Sequence, residues 1–236
     1  MNDTKTLELS SWETPASPYQ EEQIGGYCIG KHIYEVGRYR NYGMDGYKYF
    51  DVVSPLTLTT LKELKKGEWE EWMADSPTDY RAMQKYAEHA YGNVLTSGLG
   101  LGLLIHELCR YRAVDSITII ETSPEVMALT GKYIPRDRNI KLLWGDFWKF
   151  VCMDDSKWDW IIVDLWAIRG TKRHIEIYKD EIIPATKQLK DKYPEAQIVF
   201  HGFAGNPTIE QLNKSVHDGS TDELFWGLGD NDANRS

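Results

Sequence analysis

Three glycines on alternate positions interrupt an apolar stretch in the middle of the chain. The stretch VLTSGLGLGLLIHEL, residues 94–108, places Gly98, Gly100 and Gly102 between a strand-like run and a helix-like run. In an open α/β sheet the chain turns sharply at such a place, and N–H groups at the start of the helix face the crevice beyond the strand ends. Glycine permits the turn and lets a ligand approach the main chain closely. The spacing predicts a ligand-binding loop that includes Leu99.

The spacing of the glycines also discriminates between known nucleotide-binding loops. A dinucleotide fingerprint, G-x-G-x-x-G, requires glycine where this chain has Leu103 or Ile105. A P-loop ends in G-K-[ST], and no lysine follows before the helix-like run is well under way. The remaining pattern, G-x-G-x-G, is weak by itself, and it disfavours NAD.

Carboxylates follow the strand-like runs that come after the glycine loop. Glu121 ends the next run, where an acidic side chain can accept hydrogen bonds from both ribose hydroxyls of a nucleoside. In GDFW, Asp146 can accept from an adenine amino group while Phe147 or Trp148 covers the ring, and Asp164 ends the run DWIIVDL. Three carboxylates at one crevice would repel a phosphate. They suit a cofactor that has a ribose, an adenine and a positive centre.

Alternating strand-like and helix-like runs predict how these residues are brought together. After Gly92 the β-branched runs NVLTS, SITIIE, IKLLWG, WIIVDL and QIVFHG alternate with helical stretches. Continuous apolar strands separated by helices are typical of a parallel sheet covered on both faces and built from right-handed β-α-β units. The prediction is an α/β fold with a Rossmann-like, doubly wound sheet over residues 73–228, followed by a disordered tail over 229–236.

The N-terminal part has a different pattern. Residues 1–25 hold prolines and polar residues without a sustained period, which predicts a flexible arm. Residues 26–72 predict a small β-rich element with a turn at MDG, residues 44–46. Within and after it, Thr60–Trp72 and Thr78–Ala90 have helical spacing, and Pro77 is placed to begin the second helix.

Composition limits the classes of function. The chain has 236 residues, 42% hydrophobic and 27% charged, which suits one large domain or one domain with a small addition. The apolar runs are too short to span a bilayer, and the polar N-terminus does not resemble a signal peptide. Cys28, Cys109 and Cys152 are widely spaced, which indicates neither a disulfide framework nor a zinc site. We therefore expect a cytoplasmic protein without membrane or metal binding.

The charge of the chain argues against nucleic acid as a partner. The formal net charge is −9, whereas affinity for a phosphate backbone comes mostly from lysine and arginine. We expect a small-molecule acceptor. Assembly into a homo-oligomer is left open.

Three longer stretches carry a family resemblance. They are ITIIETSPEVMALTGKYIP, WDWIIVDLW and the upstream DSPTDYRAMQKYAEHAYGNVL. With the glycine loop, they make the chain from about Trp72 to Gly202 resemble the class I S-adenosylmethionine-dependent methyltransferase superfamily, and within it the spermidine-synthase-like branch. The resemblance implies S-adenosylmethionine as cofactor. It implies that the loop wraps the amino-acid end, that Glu121 and the adjacent Thr122 hold the ribose, and that Asp146 reads the adenine.

The same resemblance exposes departures. Thr96 stands where many methyltransferases carry an acid, and Leu165 and Trp166 stand where polyamine aminopropyltransferases continue with a polar segment that ends in D-P. The chain also lacks the [ND]-P-P-[YF] segment with which many methyltransferases of nucleic acids hold a flipped base. These departures favour methyl transfer to a small acceptor over both alternatives.

Candidate catalytic residues follow from the chemistry of a sulfonium cofactor. Such an enzyme gains most of its rate by alignment, and Asp164 could take a proton from an amine acceptor or hold it electrostatically. Asp75 and Tyr80, at the entry of the preceding helix, are the next candidates. Trp166 is predicted to border the acceptor, where an aromatic face can steer a cation.

Three classes of function stay open at this point. They are a small-molecule methyltransferase, a polyamine aminopropyltransferase, and a protein that binds S-adenosylmethionine without catalysis.

Overall fold

The computed structural model describes residues 6–40, 47, 49–136, 138–166 and 175–203. The predicted MDG turn and the predicted disordered tail lie outside the described residues. So does the C-terminal part of the predicted cofactor-binding domain, from residue 204 onward.

The described N-terminal half consists of strands in two small sheets. One sheet has the strand order β1-β5-β4 and the other, which is antiparallel, has the order β2-β3-β6-β7. The strands are β1 (Thr6–Leu9), β2 (Glu22–Ile24), β3 (Tyr27–Tyr34), β4 (Gly37–Arg40), β5 (Tyr49–Val52), β6 (Leu56–Lys65) and β7 (Glu68–Ala74).

The helix predicted over Thr60–Trp72 is wrong. Strands β6 and β7 form a hairpin there, with Lys65 opposite Glu68. Lys66 and Gly67 connect them with φ angles of 52° and 87°. Two consecutive left-handed residues match the twist of an antiparallel pair and cannot continue a right-handed helix. This turn overrides the apolar spacing that suggested a helix.

The flexible arm predicted over residues 1–25 is also wrong for its described part. Residues 6–9 and 22–24 are strands, and Ala16 and Tyr19 between them are buried. The Tyr19 ring stacks on Tyr133 with their centroids 3.8 Å apart. The segment is ordered by a few anchoring side chains, not by a repeating pattern, so periodicity did not reveal it.

Asp75 links this N-terminal segment to the β2-β3-β6-β7 sheet. Its side chain is fully buried and accepts hydrogen bonds from the Thr14 hydroxyl, at 2.5 Å, and from the Thr59 N–H, at 2.7 Å. The Trp12 indole N–H donates to the Asp75 carbonyl oxygen. Both carboxylate oxygens are therefore engaged within the fold. The carboxylate of Asp75, a predicted catalytic residue, is thus held inside the fold by its own hydrogen bonds.

The second half is the predicted α/β unit. A five-stranded parallel sheet has the order β10-β9-β8-β11-β12, so the direction of winding reverses between β8 and β11. Its elements are α1 (Pro77–His89), β8 (Gly92–Ser97), α2 (Leu103–Leu108), β9 (Val114–Glu121), α3 (Pro124–Thr130), β10 (Ile140–Trp144), α4 (Phe147–Met153), β11 (Trp160–Val163), α5 (Ile183–Lys192) and β12 (Gln197–Phe200).

Helices cover both faces of this sheet, as the continuous apolar strands predicted. Side chains of α1, α2 and α3 share one buried cluster with one face of the strands. Those of α4 and α5 share a second cluster with the other face. The Rossmann-like, doubly wound α/β fold is confirmed, and so is the helix predicted after Pro77. In such a sheet, ligands bind where the winding reverses, beyond the carboxyl ends of the strands.

No helix within the described residues is both long enough and apolar enough to cross a bilayer.

Replacing Asp75 tests its role as a structural joint. Asp75→Asn keeps the size of the side chain but leaves one accepting oxygen for two donors, so we expect the free energy of unfolding to fall by about 1–3 kcal/mol. Urea denaturation followed by tryptophan fluorescence measures the change. The matched control is Asp115→Asn, an exposed position on β9. Equal midpoints for both variants would contradict the assignment.

Candidate functional site

The glycine loop between β8 and α2 adopts a backbone that only glycine takes easily. Gly98, Gly100 and Gly102 have φ angles of 76°, 51° and 72°, all in the left-handed region. A side chain at Gly100 would in addition collide with Met73, since a Cβ there would lie 2.4 Å from the Met73 sulfur. The alternate glycines therefore serve a tight turn that carries Leu99 across the end of the sheet.

Glu121, at the end of β9, holds this loop in place. Its carboxylate is buried, with one oxygen accepting from the Leu99 N–H at 2.7 Å and the other from the Ser123 N–H at 2.8 Å. Thr122 lies beside it, with its hydroxyl 3.4 Å from the same carboxylate. A carboxylate offers about four acceptor positions. Glu121 therefore retains capacity to accept hydrogen bonds from a ligand.

A pocket of about 520 Å³ opens above the loop. This volume lies within the range of about 300–1,000 Å³ that is typical of small-molecule sites. The ends of β8, β9 and β11 form the floor of the pocket. Residues of β7 and β3, from the N-terminal half, form a wall opposite them. None of its lining residues is lysine or arginine. Four of them carry carboxylates: Glu71, Asp79, Glu121 and Asp164.

Titratable groups cluster at one end of the pocket, beside the first turn of α1. Burial raises the pKa of Asp79, nearby Asp164 raises it further, and His201 partly offsets the shift. The Ser76 hydroxyl donates to the Asp79 carboxylate at 2.7 Å. His201, just after β12, lies with its Nδ1 3.3 Å from the Tyr86 hydroxyl. This end therefore combines two acids with an imidazole.

Sequence reasoning missed Asp79 and His201. The rule that drew attention to Asp164, a polar residue directly after an apolar strand, applies equally to His201 after the run QIVF. Asp79 stands three residues after Ser76, at the spacing of a helix cap, and its N–H is indeed capped by the Ser76 hydroxyl. That capping role gives no sign in the sequence that the carboxylate also faces a pocket.

Thr96 contributes a buried hydroxyl to the same pocket. The residue is 1% exposed, and its Oγ1 makes no hydrogen bond to any part of the chain that the structure describes. A buried hydroxyl without a partner is unfavourable by about 1–3 kcal/mol. A ligand that hydrogen-bonds to Thr96 would remove this penalty.

Asp164 and Trp166 both line the pocket. The Asp164 N–H donates to the Ser97 hydroxyl at 2.8 Å, which fixes the chain as it leaves β11. The Trp166 indole N–H donates to Glu181, and its ring lies 5.8 Å from the Phe200 ring. Trp166 is therefore held by polar and aromatic contacts at the rim of the pocket.

Tyr80, a predicted catalytic residue, does not line the pocket. Its hydroxyl is buried and donates to Glu107 at 2.5 Å, on the side of α1 that packs against α2. Burial raises the pKa of Tyr80, and the bond to Glu107 adds to that effect. The phenol is thus a protonated structural donor.

The residues predicted to contact adenine also lie outside the pocket lining. The Asp146 carboxylate caps α4 by accepting from the Lys149 N–H at 2.8 Å. Phe147 is 2% exposed and packs in the core beneath α4, so its ring cannot cover a base, which corrects that prediction. Gly102 caps α2 and likewise lies outside the lining.

Comparisons with known proteins place these features in context. No family model matches the chain. A polyamine aminopropyltransferase of Clostridium botulinum (strain Eklund 17B / Type B) is 33% identical over 78 residues, which is 30% of this chain and 28% of that protein. This local similarity confirms the resemblance to the spermidine-synthase-like branch. The chain matches little more than a quarter of the length of these curated relatives.

Solved structures resemble the chain more distantly. One is precorrin 8W decarboxylase from Methanobacterium thermoautotrophicum, at 20% identity, covering 51% of this chain and 60% of that one, with a TM-score of 0.37. Another is a ribosomal protein L11 methylase from Lactobacillus delbrueckii subsp. bulgaricus, at 19% identity, 58% and 66% coverage, and a TM-score of 0.37.

The raised pKa of Asp79 predicts a pH-dependent stability. A carboxyl whose pKa is higher in the folded than in the unfolded state stabilises the fold at low pH, and this contribution is lost as the pH rises through the folded value. Asp79→Asn should therefore gain stability relative to the native protein as the pH rises from about 4, the ordinary pKa of an aspartate, towards neutrality. Urea denaturation across that range measures the difference. Parallel profiles for the two proteins would show that burial does not perturb Asp79.

Proposed function

We propose that the protein binds S-adenosylmethionine in this pocket and transfers its methyl group to a small acceptor that carries an amine. The observation that carries the proposal is the charge of the pocket: four carboxylates line it without a lysine or arginine among the lining residues. Such a lining favours positively charged ligands and disfavours phosphates. A sulfonium cofactor and an ammonium acceptor both meet that condition.

The residues at the loop fit the cofactor. Glu121, buried and already ordered by two backbone donors, can accept hydrogen bonds from the ribose hydroxyls, with Thr122 beside it. Gly98 and Gly100 let the loop take the left-handed backbone with which it lines the pocket. The buried hydroxyl of Thr96 is a partner for the ammonium group at the amino-acid end. When bound, the cofactor supplies an activated methyl group with a good leaving group.

The other end of the pocket suits the acceptor. Asp164 and Asp79 would attract an ammonium group, and Trp166 would present an aromatic wall to it. For attack, the amine must lose a proton, and a carboxylate at hydrogen-bond distance can accept it. The protein's part in the reaction is then to align the reactants and to hold one proton.

A second candidate is aminopropyl transfer. The observation in its favour is the local identity to polyamine aminopropyltransferases. An acidic pocket also suits a decarboxylated cofactor, which carries positive charge and no carboxylate. Leu165 and Trp166 after the strand-end Asp164 remain a departure from that branch. We therefore place methyl transfer first.

Label transfer separates these functions. The protein is incubated with pooled small amines, RNA and DNA, and either methyl-labelled S-adenosylmethionine or the decarboxylated cofactor labelled in its propylamine group. Label from the first cofactor in a small amine supports methyl transfer, and label from the second alone supports aminopropyl transfer. Label in nucleic acid alone would overturn the small-acceptor assignment. Binding of S-adenosylmethionine without any transfer would indicate a protein that binds this cofactor without catalysis.

Asp164→Asn tests the acceptor end. The variant should bind S-adenosylhomocysteine within about twofold of the native affinity, because its change lies at the reacting end. The rate constant of transfer should fall about 10²–10⁴-fold, the usual contribution of a proton acceptor. Asp115→Asn serves as the exposed control. Full activity of Asp164→Asn would remove Asp164 from the mechanism.

Glu121→Gln tests the cofactor end. Glutamine retains one accepting oxygen and no charge, so charge-assisted bonds to the ribose are weakened by about 1.5–3 kcal/mol. Calorimetry should show a loss of S-adenosylhomocysteine affinity of about 10- to 100-fold. The control is Glu88→Gln, on the exposed side of α1. An unchanged affinity would refute the role of Glu121.

A further inference from the structure

The peptide groups of Leu101, inside the glycine loop, are held by two side chains from the N-terminal half. The Leu101 N–H donates to the Met73 sulfur at 3.3 Å, and the Leu101 carbonyl accepts from the Tyr19 hydroxyl at 3.0 Å. Leu101 itself is fully buried. Met73 belongs to β7, and Tyr19 lies in the segment between β1 and β2. Two distant parts of the chain therefore meet on one residue of the loop.

The loop needs such external support. Three glycines give its backbone more accessible conformations than any other residue type would. Within the described structure, the Gly102 N–H donates to the Leu99 carbonyl inside the loop. The other bonded amides have partners outside it: Ile120 for Gly98 N–H, Glu121 for Leu99 N–H and Met73 for Leu101 N–H. A thioether is a weak acceptor. It nevertheless satisfies a buried donor that would otherwise be unpaired.

Contacts with residues outside the loop hold the Tyr19 side chain in position. Its ring stacks on Tyr133 at an angle of 11°, and its hydroxyl lies 3.2 Å from His106 Nε2 on α2. The backbone N–H of Gln20 donates to the Tyr133 hydroxyl. Burial raises the pKa of Tyr19, so its hydroxyl remains a donor over the neutral pH range. The aromatic pair thus places one directed hydrogen bond on the Leu101 carbonyl.

We infer that Tyr19 and Met73 are positioning residues that hold the glycine loop in its cofactor-binding conformation, so that the N-terminal half sets the cofactor affinity of the α/β half. The inference rests on the proposed function for its ligand. Tyr19 provides the cleaner case because it does not line the pocket, whereas Met73 also forms part of the wall. If the loop is released, part of the binding free energy is spent on ordering it.

The variants that test this are Tyr19→Phe, which keeps the stacked ring, and Met73→Leu, which keeps the volume of the side chain. Their matched controls are Tyr39→Phe and Met153→Leu, both remote from the loop. The first readout, without ligand, is amide hydrogen exchange of residues 97–104, compared with exchange of β10. We expect faster exchange in the loop of both variants, unchanged exchange in β10, and neither change in the controls.

The second readout is calorimetry with S-adenosylhomocysteine as the probe. Loss of one hydrogen bond predicts an affinity about fivefold lower for each variant. If the native protein binds the probe and the two variants bind it equally well, the inference is overturned while the proposed function stands. If the native protein does not bind it, the proposed function fails, and with it the part of the inference that concerns cofactor affinity. The exchange readout then tests only whether Tyr19 and Met73 hold the loop: unchanged loop exchange overturns that claim, and faster loop exchange supports it.

Discussion

The Glu121 carboxylate is the interaction on which the site depends. It receives one N–H from the glycine loop and one from the start of α3, and so it joins the ends of β8 and β9 to two helices. A loop with three left-handed glycines has little stiffness of its own. Burying a carboxylate is unfavourable unless donors satisfy it. The same two hydrogen bonds that order the loop therefore also make a buried acid tolerable beside the core.

The acidity of the pocket follows from the way the two halves meet. Strand-end residues of the parallel sheet supply Glu121 and Asp164, α1 supplies Asp79, and β7 of the N-terminal half supplies Glu71. Gathering these groups in a partly enclosed space has an electrostatic penalty: burial raises the pKa of Asp79, and the nearby Asp164 carboxylate adds a smaller effect. A positively charged ligand would relieve this penalty. The β2-β3-β6-β7 sheet thus completes the pocket lining and also contacts the glycine loop through Met73.

The sequence predicted those features that depend on local pattern. The parallel sheet follows from the continuous apolar strand-like runs, and the tight turn between β8 and α2 follows from the glycine spacing. Prediction from the sequence failed where contacts between residues distant in the chain determine the structure. Asp75 and Tyr80 resemble site residues by position, but Thr14, Thr59 and Glu107 bind their polar atoms within the fold. The hairpin at Lys66–Gly67 and the anchored Tyr19 were missed because a single left-handed turn and a single stacked ring leave no periodic signal.

The most direct test of this account is a crystal structure of the protein grown with S-adenosylhomocysteine. We expect the ribose hydroxyls to lie about 3 Å from the Glu121 carboxylate. We expect the sulfur to point towards the end of the pocket that contains Asp164. We also expect the glycine loop to keep its three left-handed residues. A pocket without ligand at saturating concentration, or a nucleoside bound elsewhere on the protein, would contradict this account.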